Sequence, residues 1–186
     1  MSSVNFAQTN ANKKINVCVS ANEMELYRLI NNYRKQYHLK GIPLSASLCY
    51  VAQTHAKDVC INKPDVEPCN LHSWSNKGNW LPVCYTDDHQ QANGMWMKPK
   101  ELTNYTGNGY EIAFTVMKSD DENYITTAAE ALEGWKKSSG HNAVIINQSV
   151  WSDNTWNAIG IGIYKGFAMV WFGTEKDEET IPNVCN

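Results

Sequence analysis

From Ser20 onward, apolar and polar positions fall into runs of recognisable period. Ser20 and Glu23 form a capping-box pair, and Leu26, Leu29, Ile30, Tyr33 and Tyr37 follow at helical spacing. This predicts a helix over about 21–37, stopped by Gly41 and Pro43. After Pro43, the residues Leu48, Val51, Ala52, His55, Ala56 and Val59 form a second stripe, predicted to end near 61–64. A third helix is signalled by Thr127 and Glu130, then Ala128, Leu132 and Trp135, with Gly140 marking its expected end. Period two takes over near the C-terminus. Ile159, Ile161 and Ile163 alternate with Gly160 and Gly162, Lys165-Gly166 makes a turn, and Phe167 to Gly173 returns as the second strand of a hairpin. Glycines on one face of a strand imply that another backbone packs close against it.

The stretch from 63 to 108 behaves differently. It holds four prolines, three glycines, three tryptophans and two cysteines, with little sustained period of either kind. Long irregular segments in compact domains are functional or disordered, and the aromatic and cysteine content argues for order. We therefore expect the site in this region. Helices followed by one clear strand pair indicate an α+β domain. The reading is a polar arm over 1–19 and a single domain over 20–186, with the irregular insertion at about 63–108.

Composition removes several function classes. A chain of 186 residues is the size of one domain. A net charge of −3 without long Lys or Arg runs gives no source for phosphate binding, so nucleic acid is excluded as a partner. The longest apolar runs, such as Phe167 to Phe172, are strand-sized, so no transmembrane segment is expected. Seven Trp and nine Tyr supply contact area with polar handles, which suits a groove as well as a core.

Cysteines at 18, 49, 60, 69, 84 and 185 include no Cys-x-x-Cys pair, which argues against a zinc knuckle and for a disulfide framework. Three bridges are expected, each contributing ~2 to 4 kcal/mol. Cys18 with Cys185 is the natural guess for one of them, although six cysteines permit fifteen pairings. Such bridges persist in an oxidising compartment. Met1 to Val17 lacks the apolar core of a signal peptide. The expectation is a secreted protein, periplasmic if bacterial, whose leader is replaced here; unconventional export and a cytosolic protein with reduced thiols are the alternatives. Asn104 and Asn147 head glycosylation sequons.

The order of several short motifs resembles the CAP superfamily of cysteine-rich secretory proteins, antigen 5 and pathogenesis-related proteins. The motifs are Asn31-Asn32-Tyr33-Arg34, Leu48 to Asp58 with Ala52, His55, Ala56 and Asp58, His72-Ser73-Trp74, Gly109-Tyr110-Glu111-Ile112-Ala113, Trp135 with Ser138-Ser139-Gly140-His141, and the paired C-terminal strands. The third-helix motif is most similar to bacterial and protist members. The resemblance implies a three-layer α-β-α sandwich and a cleft lined by two histidines and two acidic residues. His72 and His141 match the histidines. The first acidic position falls on Tyr110, with Glu111 one residue late, and the second falls on Ser138.

On that resemblance, His72 and His141 are the expected ligands of a zinc or other divalent ion. Glu111 is the candidate general base on a bound water, or else the orienting partner of a histidine; a structural or exposed position is the default. Taken alone, each histidine is more often an ordinary surface or core residue. His55, on its helix stripe, is expected to be packed and hydrogen-bonded, and Asp87-Asp88-His89 to be a solvated loop. Ser138 or Ser139 with His141 makes a weak nucleophile and base pair, since Gly140 is expected to turn the chain between them. Trp74, Trp80, Trp96, Trp151 and Trp156 are core or groove candidates. The sequence thus supports a binding module for a small ligand, lipid, glycan, peptide or partner protein, with a metal-dependent hydrolase as the alternative. The displaced and missing carboxylates favour binding.

Overall fold

A computed structural model of the chain describes residues 13, 15–116 and 123–185. Most of the polar arm, 1–12 and 14, lies outside them. In chain order the elements are β1 (Cys18–Val19), α1 (Ala21–Gln36), α2 (Ala46–Asn62), α3 (Ala92–Trp96), α4 (Lys98–Leu102), β2 (Gly109–Thr115), α5 (Ala128–Lys137), α6 (Ser139–Ile145), β3 (Ala158–Tyr164), β4 (Phe167–Gly173) and β5 (Asn183–Val184).

Both predicted capping boxes form. Ser20 and Thr127 accept from the backbone of Glu23 and Glu130, whose carboxylates reach back to the cap N–H groups. The expected hairpin is β3 and β4, turning at Lys165. One strand escaped the sequence reading. β2 pairs antiparallel with β4, so the sheet order is β2-β4-β3 and β4 is central. Its sequence, GYEIAFT, is buried over much of both faces and carries a glutamate in the middle, so it shows no clean alternation.

The sheet separates two cores, giving the three-layer α-β-α arrangement. On one side Ile159, Ile161, Ile112, Val170 and Phe172 pack with Leu26 and Ile30 of α1 and Leu132 and Trp135 of α5. On the other, Ala113, Met169 and Trp171 pack with Leu48, Val51, Ala52, Ala56 and Val59 of α2. Each fully buried Leu or Val contributes ~1.5–3 kcal/mol relative to exposure. The close approach implied by the strand glycines is to α2: a Cβ on Gly160 would lie 2.0 Å from the Leu48 carbonyl carbon, and one on Gly162 2.2 Å from that of Ala52.

Two details correct the sequence reading. The third helix ends at Lys137, Ser138 takes extended backbone, and Gly140 lies inside α6 rather than at a helix end. Disulfides join Cys18 to Cys185 and Cys69 to Cys84, whereas Cys49 and Cys60 are free, so two bridges form instead of three. Cys49 is held in the core between α2 and β3, its sulfur accepting from the Ile161 N–H. Burial pushes its thiol up to about 12.

The 63–108 segment is ordered by cross-links. The Cys69–Cys84 bridge, paired backbone hydrogen bonds between Trp74 and Val83, and the buried Lys98 ammonium, which donates to Leu81 O and to Glu101 at 2.7 Å, tie the segment to itself, and the Ser75 N–H, donating to Asp58 of α2 at 2.7 Å, ties it to that helix.

Candidate functional site

Four elements bring the candidate residues together. His55 projects from the buried stripe of α2, His72 from the loop held by the Cys69–Cys84 bridge, Glu111 from β2, and His141 from α6. His72 is fixed locally: its N–H donates to Asn70 Oδ1 at 3.1 Å, and the Ser73 hydroxyl accepts from Tyr85 N at 2.9 Å.

The one-residue displacement of the acidic group has a structural consequence. Moving a side chain one position along a strand moves it to the other face of the sheet. Tyr110, at the position where the carboxylate was expected, joins Trp96, Trp151 and Trp156 in an aromatic cluster with ring centroids 5.2–5.6 Å from its own. Glu111 turns toward α2. Its Oε2 meets His55 Nδ1 at 2.5 Å and its Oε1 meets His72 Nδ1 at 2.8 Å. The carboxylate side chain is 0% exposed. It is not exposed: it bridges two histidines.

Burial pushes the Glu111 carboxyl up, but the charge and hydrogen bond of His55, followed by those of His72, outweigh it and hold the group below its ordinary value. His55 completes the chain on its other side, Nε2 donating to Ser73 O at 2.9 Å. Its ring stacks on Trp74 at 4.2 Å with 4° between planes.

His141 is part-buried on α6, and its ring makes no hydrogen bond among the described residues. Burial, then the neighbouring His72, lower its pKa from the ordinary value, and Glu111 pulls the other way. The two expected histidines therefore act on one another electrostatically. Tyr85 packs beside His72, centroids 5.2 Å apart, and its hydroxyl pairs with His89 Nδ1 at 3.0 Å. Burial, then Glu111, raise its pKa.

Neither Glu130 nor Glu133 of α5 takes the place of the carboxylate missing at Ser138. Glu130 serves the α5 cap, and Glu133 pairs on the surface with Lys136 at 2.6 Å. Among the described residues, no group of three or more His, Cys, Asp or Glu side chains is placed to hold a metal ion. With both Glu111 oxygens engaged, two imidazoles remain, one short of the three protein ligands of a catalytic zinc centre. Among the described residues, these two imidazoles alone do not complete that ligand set.

The remaining candidates separate. Asp87, Asp88 and His89 are exposed, Asp88 accepting from Thr86. Ser138 and Ser139 make no hydrogen bond to His141 among the described residues. Trp74 and Trp156 are buried core, whereas Trp80, Trp96 and Trp151 are half-buried. Asn147 is occupied: its amide nitrogen donates to Trp151 O and Asn154 O and its oxygen accepts from Arg34, which closes that sequon in the folded chain. Sequence reading placed His55 as packed and hydrogen-bonded but missed its link to Glu111. The available signal was a lone ionisable residue on a stripe of otherwise apolar positions, which burial obliges to find charged or polar partners.

A solved structure shares the fold. An extracellular protein containing an SCP domain from Bacillus anthracis aligns with TM-score 0.57 and 18% identity over 83% of this chain and 40% of that one. A cysteine-rich secretory protein from Staphylococcus aureus aligns with TM-score 0.49 and 13% identity over 83% and 38%. The chain thus spans about two fifths of the length of these proteins. No curated protein matches it significantly. Residues 27–170 match the cysteine-rich secretory protein family, CAP, and the chain belongs to that family.

Proposed function

We propose that this chain is a secreted CAP-domain binding module, holding a lipid, glycan, peptide or partner protein at the His72 and His141 cleft without turning it over. The observation that carries this reading is the state of Glu111: its side chain is fully enclosed and each oxygen is paired with an imidazole, so it presents no exposed lone pair to a substrate water. The carboxylate beside His72 orients the ring and is itself closed to solvent. Two disulfides support secretion. Among the described residues, no helix is long and apolar enough to cross a membrane.

A divalent ion, zinc or another, would find two imidazoles in the cleft, one of them backed by a carboxylate in the manner of metal-bound histidines. Zinc titration of the wild type and of the double variant His72→Ala, His141→Ala tests this; equal affinity removes the metal from the proposal. The binding reading is tested by hydrolysis assays on peptide, ester and phosphodiester panels with Glu111→Gln as control. No turnover above background is expected for either protein. Turnover in the wild type that the variant loses overturns the reading in favour of the hydrolase.

A further inference from the structure

We infer that His55 is the positioning residue of the cleft: through Glu111 it locks the neutral His72 ring in the Nδ1–H tautomer, so that neutral His72 presents the bare lone pair of Nε2 to whatever enters.

The inference follows from counting donors along a closed chain. The Ser73 carbonyl can only accept, so His55 Nε2 carries a proton. One proton also lies between His55 Nδ1 and Glu111 Oε2. If it sits on nitrogen, His55 is an imidazolium facing an ionised carboxylate; if it sits on oxygen, both residues are neutral. In each case Glu111 Oε1 is left with acceptor character only, so the hydrogen bond to Oε1 requires His72 Nδ1 to donate. The remaining arrangement places the carboxyl proton on Oε1. It leaves an imidazolium at His55 with no anion beside it, in a site where both side chains are 0% exposed, and burial of an unpaired charge excludes it. The direction of every hydrogen bond from Ser73 O to His72 is thereby set from the buried end.

His55 also holds the same loop a second way, since Ser73, whose carbonyl it grips, directly follows His72. Its flat stacking on Trp74, whose ring also lies 5.2 Å from the Lys98 ammonium, fixes the imidazole plane. A free imidazole side chain favours the opposite, Nε2–H tautomer, so the lock is a measurable departure. Its consequence is a ligand class. The cleft face of His72 accepts, and its complement is a hydroxyl or amide hydrogen donor, or a cation. This rests on the binding reading of the same cleft.

The test is nitrogen-15 NMR of the histidine rings near neutral pH. In the wild type, His72 is expected as the Nδ1–H tautomer and His55 with protons associated with both nitrogens. In His55→Leu, the enclosed Glu111 carboxyl loses the donor that stabilises its charge, takes up a proton and can itself donate to His72 Nδ1, so the His72 tautomer ratio should fall about tenfold or more toward the free-imidazole preference. His55→Gln, which keeps an amide donor, should restore part of the ratio. A wild-type His72 in the Nε2–H tautomer overturns the proposal, as does an unchanged ratio in folded His55→Leu. If that variant does not fold, the wild-type spectrum decides alone. A locked tautomer in a protein that binds no ligand and no zinc would defeat the binding reading and leave the positioning role standing.

Discussion

The imidazole of His55 lies flat on the indole of Trp74, ring centroids 4.2 Å apart, while its edge reaches the enclosed carboxylate of Glu111. A hydrogen-bonded pair of ionisable groups removed from water in this way is costly to halve. Glu111→Ala should destabilise the fold by about 3–5 kcal/mol, because it leaves His55 without its partner. Glu133→Ala, which breaks the surface pair with Lys136, should cost less than about 1 kcal/mol. Urea denaturation of both variants checks the contrast, and equal losses would remove the buried pair as a stabilising feature.

Acid should weaken the fold in two steps. The folded pKa of His141 is below its unfolded value, so between the two the unfolded chain binds more protons and stability falls as pH drops below the ordinary histidine range. Glu111 is likewise held below its unfolded value, so its contribution is present above the ordinary carboxylate range and is lost as pH falls through the folded value. Thermal melts across this range should show the midpoint declining throughout. His141→Asn should flatten the upper part and Glu111→Gln the lower; a variant whose profile matches the wild type contradicts the assignment of its step.

The helices and hairpin were legible in sequence because their signals are local. Ser20 with Glu23 and Thr127 with Glu130 sit three residues apart, and Ile159, Ile161 and Ile163 alternate within a few positions. β2 was not, since a strand covered on both faces loses its alternation, and Glu111 interrupts its apolar run. The site was half legible. His72 and His141 were named from motif order, but the direction of Glu111 depends on which face of β2 meets α2, a fact of register with β4. His55 could be seen to be buried, while its partners 18 and 56 residues away could not.

Gly160 and Gly162 should be the least tolerant positions of the sheet. A methyl group at Gly160 would lie 2.0 Å from backbone of α2, where no side-chain rotation gives relief, so the helix and sheet must separate. Gly160→Ala is expected to cost about 3 kcal/mol or more. Gly140→Ala meets nothing within 4 Å and lies in α6, so helix propensity should leave it neutral or more stable by up to about 1 kcal/mol. Denaturation midpoints of the two variants should move in opposite directions or differ severalfold in size; similar losses would contradict the close α2 to β3 contact.

The two bridges close loops of very different length and should therefore be separable in effect. Cys18 and Cys185 are 167 residues apart, and Cys69 and Cys84 are 15 apart. In the chain-entropy account, removing the first by paired serine substitution should cost about 5 kcal/mol and the second about 3 kcal/mol. The order should reverse for the site. The short loop carries His72, so losing Cys69–Cys84 should broaden the His72 ring signals while losing the terminal bridge leaves them sharp. Thiol labelling of the unmodified protein supplies the control: one fast-reacting group, Cys60, and a second, Cys49, that reacts only on unfolding, because the core encloses it and burial holds its thiol protonated. Two thiols released together in the native state, or none after unfolding, would contradict the assigned pairing.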